Sequence, residues 1–171
     1  MSKLSLVAAM FFCFPLLLAR PVPVNANIDP EVRQGIVLLK SVKGIRVVRR
    51  LAGIATGYYS PQKGQKKYAC GSYVKEVQLN GKGGETATGG KPRIGTISAN
   101  LKLFPPKTLL RITDTKSGRQ VYGVVEDTGS AMIRNQRHVD IWMGEGQMGL
   151  NESVEWGKRA VVIEVIKLIK A

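Results

Sequence analysis

The stretch His138-Val139-Asp140-Ile141-Trp142-Met143-Gly144 constrains the fold of this chain more than any other. A strand sends successive side chains to opposite faces. Val139, Ile141 and Met143 then share one face, and His138, Asp140 and Trp142 share the other. Such a segment belongs to a sheet with one dry face and one face that holds an ionisable group beside an aromatic ring. Just upstream, Val125-Glu126-Asp127-Thr128-Gly129-Ser130-Ala131-Met132 ends a second apolar run in an aspartate at a turn. The chain has only 12 acidic residues against 26 basic ones. Two carboxylates at such places point to acid/base chemistry on a neutral or anionic substrate. A carboxyl beside Trp142 in a partly dry groove should have its pKa raised, as a carboxylic general acid requires. Trp142 also offers a surface for stacking on a sugar. The plainer readings are a surface ion pair between Asp140 and Arg137 or a lysine, and a turn aspartate at Asp127 that bonds its own backbone.

The rest of the chain reads as short strands between turns. Ile54 to Pro61 is a strand ending in a Ser-Pro turn. Ser72 to Leu79 alternates, with Tyr73, Lys75, Val77 and Leu79 on one face, and predicts a half-buried strand. Asn80 to Lys91 is a glycine- and threonine-rich loop, and Gly95 to Asn100 is strand-like. Pro105-Pro106 breaks any helix. Thr108–Thr113 and Gln120–Val125 form a hairpin around Asp114-Thr115-Lys116-Ser117-Gly118. Asn151 to Arg159 predicts a short helix capped by Asn151, with Trp156 as its buried anchor. Val161 to Ile169 is a last strand. Many short strands, glycine-rich turns and one short helix predict a small closed or nearly closed β-barrel.

Ahead of this lie two segments of different character. Residues 1–26 read as a secretory signal peptide: Lys3, an apolar core from Leu6 to Ala19, and small residues at Val24-Asn25-Ala26 before a cut at Asn27. Residues 27–51 form a basic arm with Lys40, Lys43, Arg46, Arg49 and Arg50 among aliphatic residues, and periodicity does not decide between helix and extended chain there. Residues 52–171 are the folded domain. Without the signal Cys70 is the lone cysteine, so no internal disulfide forms and the residue reads as a small packed side chain. The formal net charge of +14 draws the protein to polyanions such as acidic wall polymers, anionic lipid head groups or nucleic acid. No zinc-ligand spacing, phosphate-binding loop, dinucleotide glycine motif or nucleic-acid motif is present, so no metal, cofactor or nucleic-acid partner is expected. Asp-Thr-Gly also marks aspartic proteases, but those need two such corners and this chain has one.

Taken in order, Thr86-Ala87-Thr88-Gly89-Gly90-Lys91-Pro92, Gly95-Thr96-Ile97-Ser98-Ala99-Asn100, Phe104-Pro105-Pro106-Lys107-Thr108, Glu126-Asp127-Thr128-Gly129-Ser130-Ala131, His138-Val139-Asp140-Ile141-Trp142-Met143-Gly144 and Glu155-Trp156-Gly157-Lys158-Arg159 resemble the three-aspartate (3D) domain. That domain is also the C-terminal part of the membrane-bound lytic murein transglycosylase A family and occurs in stationary-phase survival proteins. The resemblance covers about residues 52 to 169. It implies an all-β fold, a six-stranded double-psi β-barrel with one short C-terminal helix. It implies cleavage of peptidoglycan glycan strands between N-acetylmuramic acid and N-acetylglucosamine, closing a 1,6-anhydro ring without a nucleophilic water. It makes Asp140 the general acid/base and Asp127 its supporting carboxylate. It places Asn100, Tyr59, Ser60 and Lys91 in substrate binding, beside Trp142 and His138. Three positions depart from the family: Asn100 stands where the first aspartate belongs, Asp127 and Asp140 are two residues further apart than usual, and Ser130 replaces a glycine. Asn100 brings no charge, which favours an alternative of another class, a non-catalytic barrel that binds wall glycan as expansin-like barrels do.

Overall fold

The computed structural model describes residues 42–80 and 84–170. The signal-like segment 1–26, residues 27–41 of the arm and residues 81–83 of the glycine-rich loop lie outside the described residues. Six strands close into one barrel: β1 (Val42–Ser60), β2 (Thr96–Ser98), β3 (Leu109–Asp114), β4 (Gln120–Asp127), β5 (His138–Glu145) and β6 (Arg159–Lys170), in the cyclic order β1-β5-β2-β4-β3-β6. β1/β5 and β2/β4 run parallel and the other four pairs antiparallel. Exchanging β1, β2, β3 for β4, β5, β6 reproduces the same pairs with the same directions. This internal two-fold, with both parallel pairs joining one half to the other, is the arrangement of the mainly-β double-psi barrel that the resemblance implies.

The barrel interior is filled from alternate positions of every strand. Ala55, Ile97, Leu110, Ile112, Val125, Val139, Ile141, Val161 and Ile163 point inward, joined by Ala99, Phe104 and Trp156. Each fully buried aliphatic side chain of this kind stabilises the fold by about 1.5–3 kcal/mol. Outward positions of β1, β3 and β6 are bridged by Glu164, buried between Arg50 and Arg111 and hydrogen-bonded to both. A single buried acid between two guanidinium groups ties three strands, and removing it would leave the partly exposed Arg111 without its acceptor.

Three expectations change. Val42–Leu51 is not a separate arm but the first half of β1, paired residue by residue with β6. Tyr73–Asn80 is a helix, α1, rather than a strand. Ser72 starts it by accepting the Lys75 N–H (3.3 Å), and Glu76, fully buried, accepts the Cys70 N–H (2.7 Å). These local acceptors at a helix start outweigh the two-residue alternation. Finally, the described residues hold three helices rather than one. α2 (Ser130–Arg134) occupies what reads as a loop, and α3 (Gly146–Trp156) begins five residues before its expected cap. Asn151 sits inside α3, accepting from Gln147 Nε2 at 2.9 Å. Trp156 is the buried anchor as expected, with the Arg159 and Arg119 guanidinium groups 4.6 and 5.2 Å from its ring centre. Cys70 is a free, half-buried thiol.

Close backbone approach fixes β4 against the entry to β2. A Cβ on Gly123 would lie 2.3 Å from Gly95 O and 2.6 Å from Ile97 Cδ1. Neither backbone nor core can move away, so Gly123→Ala is expected to lower unfolding free energy by about 2–4 kcal/mol. Denaturant unfolding of the variant against the parent measures it.

Candidate active site

The outer face of four adjoining strands, β1, β5, β2 and β4, carries the site. On β5, His138, Asp140 and Trp142 point away from the core while Val139 and Ile141 are buried, as the alternation requires. The parallel register sets Ile54 opposite His138, Thr56 opposite Asp140 and Tyr58 opposite Trp142. On the other flank Ser98 of β2 is the register partner of both Asp140 and Asp127. A bulge between Ile97 and Ser98 makes that double match, since without it Glu126 would face Ser98. Asp127 and Asp140 therefore stand two strand spacings apart, about 10 Å from backbone to backbone across β2, with their side chains on one surface.

The two carboxyls have different surroundings. Three donors converge on Asp127: the Ala87 N–H (3.0 Å) and its neighbour Thr128 N–H (2.9 Å) on Oδ1, and the Tyr58 hydroxyl (3.1 Å) on Oδ2. Ala87 is brought in by the turn Thr86–Gly90, which is clasped to β4 through the Thr88 N–H and Glu126 O. Asp140 receives one donor, the Thr56 hydroxyl at 2.8 Å on Oδ1. Its pKa is pushed up to about 6: burial raises it, the Thr56 hydrogen bond opposes, and the nearby Asp127 charge adds to the rise. Tyr58 is held far above its usual value by burial and then by Asp127, so it stays a hydrogen-bond donor. His138 is drawn below its ordinary pKa by burial and by the charge of Lys158. Its Nε2 lies 2.7 Å from Thr56 Oγ1.

The structure brings Asp127, Asp140, His138 and Trp142 onto one surface. Ser60 is there too, accepting the Trp142 Nε1–H at 2.9 Å and so fixing the indole, which is half-buried and keeps part of its ring open. Tyr59 is not brought in. Alternation turns it away from the carboxylates, and it is 4% exposed, packed against Gly149, with burial pushing its hydroxyl up to about 12. Lys91 is exposed just past the Thr86–Gly90 turn. The buried Asn100 spends its amide on backbone: Oδ1 accepts from Lys102 and Leu103 N–H, and Nδ2 donates to Met132 O at 3.2 Å. An ionised aspartate could not make that last bond. Thr56, Tyr58 and Ser98 were missed in the sequence. The signal for Thr56 and Tyr58 was the alternation in Ile54–Ser60, which separates Tyr58 from Tyr59; nothing in the sequence announced the bulge at Ser98. Among the described residues no three His, Cys, Asp or Glu side chains gather as metal ligands do, and no helix is long and apolar enough to cross a membrane.

The environment of Asp140 has a consequence for stability. A native pKa of about 6 against an ordinary 3.8 means that the folded state binds the proton more tightly. Between these values stability falls as pH rises, and above about 6 the ionised group costs the fold its full share. Asp140→Asn should therefore stabilise the protein by about 1–3 kcal/mol at pH 8 and by little at pH 4. Denaturant titrations at the two pH values check it.

No family model matches the chain, and no curated protein matches it. Among solved structures it is similar to E. coli MltA with bound chitohexaose (18% identity, 50% of this chain and 28% of that one, TM-score 0.42). It is similar to the lytic transglycosylase LtgG of Burkholderia pseudomallei (17% identity, 48% and 26%, TM-score 0.37). It is also similar to the Streptomyces papain inhibitor (12% identity, 72% and 100%, TM-score 0.37). The chain spans about a quarter of the length of the two lytic transglycosylases it matches.

Proposed function

We propose that this protein is a secreted lytic transglycosylase of the cell envelope that cleaves peptidoglycan glycan strands, with Asp140 as its single acid/base. The observation that carries the reading is the environment of Asp140: a carboxyl on the outer barrel face, half-buried, with one hydrogen-bond donor and a pKa near 6. A carboxyl of this kind holds its proton under mildly acidic conditions and can give it to a leaving oxygen. The order of motifs around it, which resembles the 3D domain, names the substrate class.

The chemistry then needs one group. Protonated Asp140 gives its proton to the glycosidic oxygen between N-acetylmuramic acid and N-acetylglucosamine, and that C–O bond breaks. The resulting carboxylate takes the proton of the muramic C6 hydroxyl as its oxygen closes on C1. No water is consumed, and Asp140 ends as it began, which separates this route from the two-carboxylate hydrolases. Asp127, held by Ala87, Thr128 and Tyr58, supplies a fixed negative charge beside a transition state that develops positive charge at C1. The Trp142 ring braced by Ser60 offers the sugar an apolar face. Lys91 and other surface cations suit the acidic stems of the wall.

The second reading, a glycan-binding barrel without turnover, draws on Asn100: its commitment to backbone leaves the site one carboxylate short of the family set.

Digestion of purified sacculi followed by mass spectrometry decides among the outcomes. The expected products are 1,6-anhydromuropeptides. Reducing ends would mean a hydrolase, and binding without products would mean the glycan-binding barrel. Asp140→Asn should lose release by at least about a thousandfold while still sedimenting with sacculi. Release by the parent should fall about tenfold per pH unit above the Asp140 value of about 6; a flat profile from pH 5 to pH 8 would remove Asp140 from the acid role.

A further inference from the structure

The hydrogen bonds around Thr56 contain more than support for one carboxyl. Its hydroxyl lies 2.8 Å from Asp140 Oδ1 and 2.7 Å from His138 Nε2. A hydroxyl has one proton and can donate only once. When Asp140 is a carboxylate, Thr56 must donate to it and must accept from His138, so the imidazole carries its proton on Nε2. When Asp140 holds a proton on Oδ1, the directions reverse: Asp140 donates to Thr56, Thr56 donates to Nε2, and the imidazole carries its proton on Nδ1. Nothing among the described residues hydrogen-bonds Nδ1.

We propose that His138, Thr56 and Asp140 form a proton relay in which the tautomer of the imidazole is locked to the protonation state of the carboxyl. A proton arriving from water binds Nδ1. The Nε2 proton passes to Thr56 Oγ1, and the Thr56 proton passes to Asp140 Oδ1. One proton enters, one appears on the carboxyl, and no other bond changes. The relay loads a half-buried acid without opening its face to water. His138 and Thr56 are positioning residues here, because they act through Asp140.

The register makes the relay a property of the fold. Parallel pairing of β1 with β5 places Thr56 opposite Asp140, and the same pleat brings His138, two residues earlier on β5, to the same hydroxyl. The charged and titratable groups around it are Tyr58 of β1, Asp127 and Glu126 of β4, and Lys158 just before β6. Tyr58 and Asp127 bond each other, and Arg93 and Thr96 hold Glu126, so none of these groups hydrogen-bonds a relay member. Lys158 disfavours the imidazolium and so favours the neutral ring that the relay needs.

This inference deepens the acid/base reading of Asp140 and rests on it for its purpose, yet the coupling can be tested without substrate. His138 is the only histidine of the chain, so full-length protein labelled with ¹⁵N-histidine gives the signals of one ring. The ¹⁵N shifts separate the Nε2–H tautomer, the Nδ1–H tautomer and the imidazolium. From pH 8 to pH 5, the parent should pass from Nε2–H to a majority Nδ1–H among the neutral rings, with the same midpoint as the ¹³C titration of the Asp140 carboxyl. Thr56→Ser should keep that switch, and Thr56→Val should lose it. A parent ring that goes directly from Nε2–H to imidazolium overturns the relay, as does a Thr56→Val protein with the parent's tautomer shift. A tautomer switch in a protein that yields no anhydro products would retain the relay and reject the transglycosylase; products without a switch would do the reverse.

Discussion

Everything at the candidate site depends on how one long strand is shared. β1 pairs antiparallel with β6 from Val42 to Ala55 and parallel with β5 from Ile54 to Ser60. Only Ile54 and Ala55 have partners on both sides, so the barrel closes over two residues. Ala55 is fully buried there, and the next residue is Thr56. The seam that shuts the core thus also fixes the hydroxyl that meets Asp140. A slip of one residue in the parallel pairing would send Thr56 and Tyr58 inward and leave Asp140 without its donor.

The opposite flank is set by three residues. β2 has strand partners on both sides, and the extra residue Glu126 in the facing β4 lets Ser98 face Asp127 and Asp140 together. Local chemistry then separates two like side chains. Asp127 lies at a strand end where a turn delivers backbone N–H groups, whereas Asp140 lies mid-strand, where every neighbouring backbone group is committed to the ladder. A mid-strand carboxyl can find donors only on other side chains, and Thr56 is the one within reach. The barrel makes different environments from strand end and strand middle.

Much of this arrangement was legible in the residues. The outward trio on β5 follows from strict alternation over a buried face. The β3/β4 hairpin follows from Asp114 and Gly118, and Asp114 does organise that turn through the Lys116 N–H and the Ser117 hydroxyl. The errors have physical causes. Tyr73, Lys75, Val77 and Leu79 alternate, but Ser72 and Glu76 supply acceptors at the start of a helix, and local hydrogen bonds decided the matter. Asn151 has the character of a helix cap, yet α3 starts at Gly146, where a Cβ on Gly149 would lie 2.5 Å from the Gly144 carbonyl and 2.9 Å from Tyr59 Cβ, a contact that no local pattern encodes. Likeness to a motif points to Tyr59, whereas the pleat of β1 turns Tyr58 toward Asp127.

The first half of β1 has a further meaning. From Val42 to Gly53 it has β6 on one side and, among the described residues, no strand on the other, with Val47 and Val48 exposed beside it. Such an edge is a template for another chain's strand. Here it is occupied by Arg46, Arg49 and Arg50, all exposed, with Arg46 set directly across from Lys167. A second molecule offering the same edge would bring arginine against arginine. Like charges set against each other in this way disfavour edge-to-edge pairing of two molecules along this part of β1.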